Sequence, residues 1–237
     1  MDITHQSDSA LMVREIDLAA AFEFARSDSD WVMKYVTHGA ITLVPVAGAL
    51  VYFGWGRRIY QRVREGRGHE GLPALDFGGE LSDGIAPFVA LLNIFAIVMP
   101  LMMVGWGALF ALGIGASILG DSGGGAVLGL VGMLGMLAFY AMMFVVMIGV
   151  QVISPELTRR GYNGEMTPLL SFGRSIRAIR AQPKMYMMTF IGILLGNMIG
   201  SLGGLLCGVG VIFTAPFGHA MAAHVLAQWD SVVSQID

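Results

Sequence analysis

Few residues in this chain combine a reactive side chain with a spacing that suits chemistry, and those that do lie in apolar surroundings. His38, His219, His224, Asn93, Asn197 and Gln228 are polar groups set inside or beside long apolar runs. One imidazole projecting from a helix is enough to ligate haem or a chlorophyll-type pigment, which makes His38 and His219 candidate cofactor ligands. His224 and Gln228 share a helical face, whereas His219 and His224 diverge by about 140° and do not form a ligand pair by themselves. The plainer reading is that all of these groups make hydrogen bonds between helices. For hydrolysis, composition leaves open only Ser117 or Ser201 meeting His219. No Gly-x-Ser-x-Gly elbow, phosphate loop, His-Glu-x-x-His helix or cysteine pair is present, so neither an enzyme nor a metal site is expected.

The missing charges say more. No Asp, Glu, Lys or Arg occurs from Ile85 to Leu119, from Ser122 to Pro155 or from Met185 to Trp229. Proton relays and ion-coupled carriers place ionisable groups at membrane depth, so transport of that kind is not expected. Of 237 residues, 55% are hydrophobic and 13% charged, against roughly 25% charged in a soluble domain. The chain therefore reads as an integral membrane protein with the lipid bilayer as its first partner. Net charge is −3, with no basic run interleaved with aromatics, which argues against nucleic acid. Cys207 is the single cysteine and cannot form an internal disulfide. The 17 methionines are scattered through the apolar runs and suit adaptable packing better than metal binding.

The polar groups are positioned by apolar blocks. Residues 1–34 form an acidic head whose apolar residues between Leu11 and Ala25 recur at helical spacing, predicting a short amphipathic helix. Five blocks follow, predicting spans at about 35–55, 86–119, 126–153, 185–203 and 205–229, linkers at 56–83 and 154–184, and a tail at 230–237. Pro45 divides the first block, which is either one crossing, the favoured reading, or a re-entrant pair. The predicted fold is all-α: a polytopic transmembrane helix bundle of four to five spans with amphipathic interfacial helices. Pro100 is expected to kink or end its span, and Ser154-Pro155 to open the second linker.

The linkers hold five and six basic residues, while the connection Gly120 to Gly125 between their two spans holds none. By the positive-inside rule, both linkers face the cytoplasm. Thr167-Pro168 begins a helix with an apolar stripe of Leu169, Phe172, Ile176 and Ile179. Arg174, Arg177 and Arg180 lie beside that stripe and Lys184 follows, making these four candidate contacts for anionic lipid headgroups. A helix, polar break, aromatic and apolar block occur in that order at Phe22 to Tyr52 and again at Phe172 to Leu206, suggesting a loose internal repeat.

Gly192, Gly196, Gly200, Gly204 and Gly208 are set four apart and share one helical face. Without Cβ atoms they let another backbone approach, which is how helices associate in lipid, so the stretch reads as a membrane helix or a tight helical hairpin built to be packed against. Gly129 and Gly132 form a smaller candidate packing surface.

Several features together resemble bacterial membrane proteins grouped as domain of unknown function 4013. They are the amphipathic head, Trp31 before the first block, Gly54 followed by basic residues, Leu72-Pro73 with Asp76 before Gly84, and the ending Gly210 to Phe217. Leu75 stands where a tryptophan is expected. The resemblance implies a small polytopic protein of the bacterial inner membrane and brings no catalytic residue or substrate.

The function expected first is that of a non-enzymatic packing or accessory subunit, its glycine face receiving a helix of a larger membrane complex or of a second copy. Passage or handling of a lipid or apolar small molecule beside Arg174 to Arg180 is the alternative. A haem-bearing or pigment-bearing subunit is a variant of the first.

Overall fold

Caps and prolines set where the helices begin. The computed structural model describes residues 15–120, 123–205 and 209–235. Among these, nine α-helices run in chain order: α1 (Leu18–Phe24), α2 (Trp31–Ile41), α3 (Ala47–Arg64), α4 (Phe77–Asp83), α5 (Ile85–Leu119), α6 (Gly123–Tyr162), α7 (Phe172–Ala181), α8 (Pro183–Leu202) and α9 (Val211–Val233). The described residues contain no strand, and the fold is all-α. Asp17 opens α1 by accepting the amide of Ala20 at 2.9 Å, and Asp76 opens α4 by accepting that of Gly79 at 3.2 Å. Pro183 stands at the first position of α8, where its missing N–H costs nothing. Of the expected helix between Leu11 and Ala25, α1 is the part observed, and residues 11–14 lie outside the described residues.

Three elements are long and apolar enough to cross a membrane: Ile85–Leu119, Gly123–Tyr162 and Pro183–Leu205. This corrects the expected four to five. The block at 35–55 breaks after Ile41, turns through residues 42–46, and resumes as α3, whose second half carries Arg57, Arg58, Arg62 and Arg64. The block at 205–229 becomes α9, which holds His219, His224 and Gln228 among alanines and is largely buried by its neighbours. It runs on to Val233, so Asp230 belongs to a helix and not to a tail.

Neither interior proline ends its helix. α5 continues through Pro100, and α6 continues through Pro155 for two more turns. Pro155 removes the N–H that would bond the carbonyl of Gln151. The Ser154 hydroxyl donates to that carbonyl at 3.1 Å, satisfying the freed acceptor.

The chain divides into two compact units, residues 1–91 with 155–237, and residues 92–154. In the first, α9 is the central helix, packed by α8, α3, α2 and α1. Its aromatic core brings Tyr35 edge-on to Trp55, Phe213 and Phe217. α8 returns antiparallel to α9 along the glycine face. A Cβ at Gly192 would meet Leu18 and Val225, one at Gly196 the carbonyl of Gly218, and one at Gly200 the backbone of Ala215. The face expected to receive a helix of a larger complex or of a second copy is filled at Gly192, Gly196 and Gly200 by the chain's own α9. Gly204 faces open space, and Gly208 lies outside the described residues. α2 approaches α9 at Gly39, where a Cβ would stand 1.6 Å from the carbonyl oxygen of Ile212. Pro216 cannot donate to that oxygen, so the closest approach occurs where the helix ladder has a gap.

In the second unit, the apolar lengths of α5 and α6 pair around Val98, Phe139 and Met143. Gly105 makes room for Phe139, whose ring carbon would stand 1.9 Å from an added Cβ. Gly132 would make only an ordinary contact with Leu112, and Gly129 faces open space, so of the two candidate packing glycines here neither marks a close helix approach.

Candidate functional site

The foot of α6, carried past Pro155 by the repair at Gln151, brings Glu156, Arg159 and Arg160 into the first unit beside α7 and the end of α9. Glu156 is buried and accepts from the indole N–H of Trp229 at 2.8 Å. Arg159 Nε and Nη2 donate to the same carboxylate at 2.9 and 2.8 Å, and its third nitrogen, Nη1, donates to Asp230. Asp230 also accepts from Asn163 at 3.0 Å, and Arg64 Nε lies 2.9 Å from its other oxygen. Asn163 reaches on to the hydroxyl of Tyr60 at 2.8 Å. This network ties α3, α6 and α9 together at the end of the unit where the charges gather. Buried charges of this kind persist only when paired and hydrogen-bonded.

Arg160 builds the neighbouring wall. Its Nε and Nη2 donate to Glu165 at 2.8 and 2.5 Å, and its Nη1 donates to the Pro168 carbonyl at 3.0 Å and to the Ser175 hydroxyl at 2.8 Å. The turn at Pro168–Ser171 therefore folds onto the foot of α6, and α7 begins against it. Ser171 and Arg174 also donate to Glu165, at 3.0 and 3.2 Å. Burial would raise the pKa of the Glu165 carboxyl, but the Arg160 guanidinium and the Ser171 hydroxyl, with Arg174 beyond them, hold it below the ordinary carboxylate value.

Between these walls lies a pocket of about 460 Å³ lined by Arg159, Arg160, Arg174 and Arg177, with Glu156 and Glu165 as its carboxylates. Four guanidiniums thus face two carboxylates. Glu165 serves both Arg160 and Arg174, Arg159 is held by Glu156 and Asp230, and Arg177 has no hydrogen-bonding or ionic partner among the described residues. A concave site with an excess of guanidinium and one unpaired arginine is suited to an anion, above all to the oxygens of a phosphate.

Of the four basic residues singled out in the sequence, the structure brings Arg174 and Arg177 to this pocket. Arg180 and Lys184 are exposed outside it. Three residues apart on a helix is about 60° short of a full turn, so Arg180 points about 120° away from Arg174. Ile179 packs into the core with Tyr186 and Trp229, while Phe172 is left exposed.

The histidines are engaged elsewhere. His38 Nδ1 lies 2.8 Å from the Lys34 carbonyl and Nε2 lies 3.3 Å from Glu80, with the ring stacked on Trp55 at 4.4 Å. Both the His38 and the Glu80 side chains are fully buried. His219 Nε2 meets the Tyr162 hydroxyl at 3.3 Å, its ring stacks on Tyr52 at 4.0 Å, and a Cβ on Gly56 would stand 2.2 Å from that nitrogen. Both nitrogens of His38 are bonded, and both rings are stacked on a neighbouring aromatic side chain. Ser201 donates to the Met198 carbonyl of its own helix at 2.8 Å, so no serine and histidine pair forms there.

Glu156, Asn163, Glu165 and Asp230 were not singled out in the sequence. The signal available was position: Glu156 and Asp230 are the first charges beyond two long uncharged blocks.

Residues 38–209 match a family described as a protein of unknown function (DUF4013). No curated protein and no solved structure matches the chain.

Proposed function

Since the chain belongs to the DUF4013 family, whose description assigns no activity, we propose from the geometry that it is a non-enzymatic membrane protein that holds the phosphate of an anionic lipid headgroup between α6, α7 and α9. The observation that carries this reading is Arg177, without a partner among the described residues, within a pocket where four guanidiniums face two carboxylates. In it, the three apolar helices cross a bacterial inner membrane, and linkers 56–83 and 154–184, rich in arginine, face the cytoplasm. The pocket then stands at headgroup level, with Arg180 and Lys184 as looser contacts to neighbouring anionic lipid. Handling of a lipid is thereby preferred to passage of an ion, for which no charged residue lies within the uncharged blocks.

Native mass spectrometry of the protein from neutral detergent tests this, with phosphatidic acid and phosphatidylcholine offered separately. Phosphatidic acid is expected to be retained and phosphatidylcholine to be lost. A charge-assisted contact is worth about 1.5–3 kcal/mol, so Arg174→Gln with Arg177→Gln weakens retention by roughly tenfold or more, whereas Arg180→Gln changes it little. Competition by inorganic phosphate at millimolar level indicates a site for the free ion. Equal retention of both lipids, or of phosphatidic acid by the wild type and the double variant, sinks the reading.

A packing subunit is the second reading, and the observation favouring it lies in residues 92–154. Most of the large apolar side chains there are exposed, and a groove of about 360 Å³ is lined by Trp106, Phe110, Gly113, Ile114 and Met136. A helix of another membrane protein, or of a second copy, fits such a surface. Gly113→Leu then lowers the assembled mass on a native gel, and an unchanged mass counts against assembly through this groove.

A further inference from the structure

The turn between α2 and α3 satisfies most of its backbone amides internally, the Val46 amide having no partner among the described residues. The amides of Thr42, Leu43, Val44, Ala47 and Gly48 all donate to carbonyls within residues 38–45, and Pro45 has no N–H to satisfy. The Thr42 hydroxyl donates to the Gly39 carbonyl at 2.6 Å. Each amide paired within the turn lowers the cost of carrying it out of water. The side chains at the apex have the opposite character: Leu43, Val44 and Val46 are exposed, Leu43 to 70%. Val46 stands at φ 64 and ψ −60, closed by a 2.7 Å bond from the Ala47 amide to the Pro45 carbonyl. This is the strained γ-turn, in which a β-branched residue is an outlier and glycine or asparagine the ordinary choice. Valine there puts one more apolar side chain at the apex.

The end of α8 and the start of α9 lie at the same end of the unit. Gly39 of α2 sits against Ile212 at the start of α9, and Gly203 at the end of α8 sits against Gly210. Leu205 and Val209 are exposed, Leu205 to 81%, and they continue the exposed apolar side of α8 formed by Met187, Leu194, Met198 and Leu202. Both limbs of the α2–α3 pair return to one polar segment. Lys34 donates to the Leu72 carbonyl at 2.7 Å and Arg62 to the Gly71 carbonyl at 3.1 Å.

We infer that residues 42–46 form a re-entrant, lipid-inserting tip: the chain enters the bilayer along α2, meets acyl chains at Leu43, Val44 and Val46, and leaves on the same side along α3. The occupant is lipid hydrocarbon, because the tip lies at the end of the unit where Pro183–Leu205, long and apolar enough to span, ends in an exposed apolar side chain. This goes beyond headgroup binding and stands or falls independently of the arginine pocket.

Single thiols test it in full-length protein carrying Cys207→Ser, reconstituted in sealed vesicles. Leu43→Cys and Val44→Cys report the tip, and Ser27→Cys and Gly68→Cys report the two limbs. A Cβ at Gly68 meets nothing, and Leu43 packs against little, so these changes leave the fold intact. A membrane-impermeant maleimide is expected to label Ser27→Cys and Gly68→Cys from one face only, the same for both. Both tip thiols react roughly tenfold more slowly than Gly68→Cys from either face, as burial in hydrocarbon requires. A fluorophore at Leu43→Cys is quenched by lipids brominated on the acyl chain and one at Gly68→Cys is not. Labelling of the tip at the Gly68 rate, or of the two limbs from opposite faces, overturns the inference.

Discussion

A Cβ built on Gly218 stands 2.0 Å from the carbonyl oxygen of Gly196, and one built on Gly196 stands 2.6 Å from the carbonyl oxygen of Gly218. Each glycine is therefore the space into which the other helix's backbone fits. Gly218→Ala must push α8 and α9 apart, because the obstacle is backbone and cannot rotate away. Overpacking of this kind costs about 1–3 kcal/mol. The expected result is a lower thermal midpoint of the purified protein at unchanged oligomeric mass. A loss of assembly with the midpoint unmoved would return the glycine face to an external partner.

How far the sequence carries is visible on this same face. Spacing by four identifies Gly192, Gly196 and Gly200 as one side of a helix, and all three are buried. Spacing cannot name the occupant, since Gly218 is a lone glycine in α9 whose role depends on the antiparallel return of the chain. Apolar length likewise locates α5, α6 and α8, and Pro168 with the basic stripe locates α7. The division at residues 42–46 is hidden because an apolar turn and an apolar span have the same composition. The pocket is hidden for another reason: the pairs of its lining residues join distant points, Arg159 and Asp230 being 71 residues apart and Asn163 and Asp230 being 67 apart. Only the folding of α6 past Pro155 makes the former pair neighbours.

Asp230 holds that folding in place. It is 3% exposed and binds Arg64 from α3 and Arg159 and Asn163 from the end of α6. Asp230→Ala leaves Arg159 with Glu156 alone and strips Arg64 of its carboxylate. Breaking one side of a buried ion pair costs about 3–5 kcal/mol. Chemical unfolding in mild detergent should show a loss of that order, and less for Asp230→Asn, which keeps an acceptor oxygen. A loss under about 1 kcal/mol, the value for exposed pairs, would mean that water reaches the network freely.

Glu165 gives the pocket a dependence on pH. Its carboxyl is held below the ordinary value of 4.5 in the folded chain, despite burial, by Arg160, Ser171 and Arg174. A depressed carboxylate contributes stability that is present above its unfolded pKa and is lost as pH falls through the folded one. The thermal midpoint should therefore fall on acidification below about pH 4.5, and Glu165→Gln should flatten that fall. The same change releases Arg160 and Arg174 from their shared counter-ion, so retention of phosphatidic acid at neutral pH is expected to rise. Weaker retention in Glu165→Gln would assign the carboxylate to shaping the pocket, with no competition for its arginines.

Val46 separates backbone strain from side-chain chemistry. Its positive φ costs a β-branched residue about 1–3 kcal/mol, and glycine adopts the same conformation without that penalty, at an entropic cost of about 1 kcal/mol. Val46→Gly should leave stability unchanged or raise it by up to about 2 kcal/mol, whereas Val46→Ala keeps most of the strain and gains less. The side chain is 64% exposed, so either change removes little packing. Thermal midpoints of the three proteins in detergent give the comparison, and partition of the same proteins into liposomes gives the counterpart. If the apex meets acyl chains, Val46→Gly is the more stable protein in detergent and the weaker one at inserting its tip. A lower detergent midpoint for Val46→Gly than for Val46→Ala would show that the turn relaxes to a negative φ and that valine is held there at no cost.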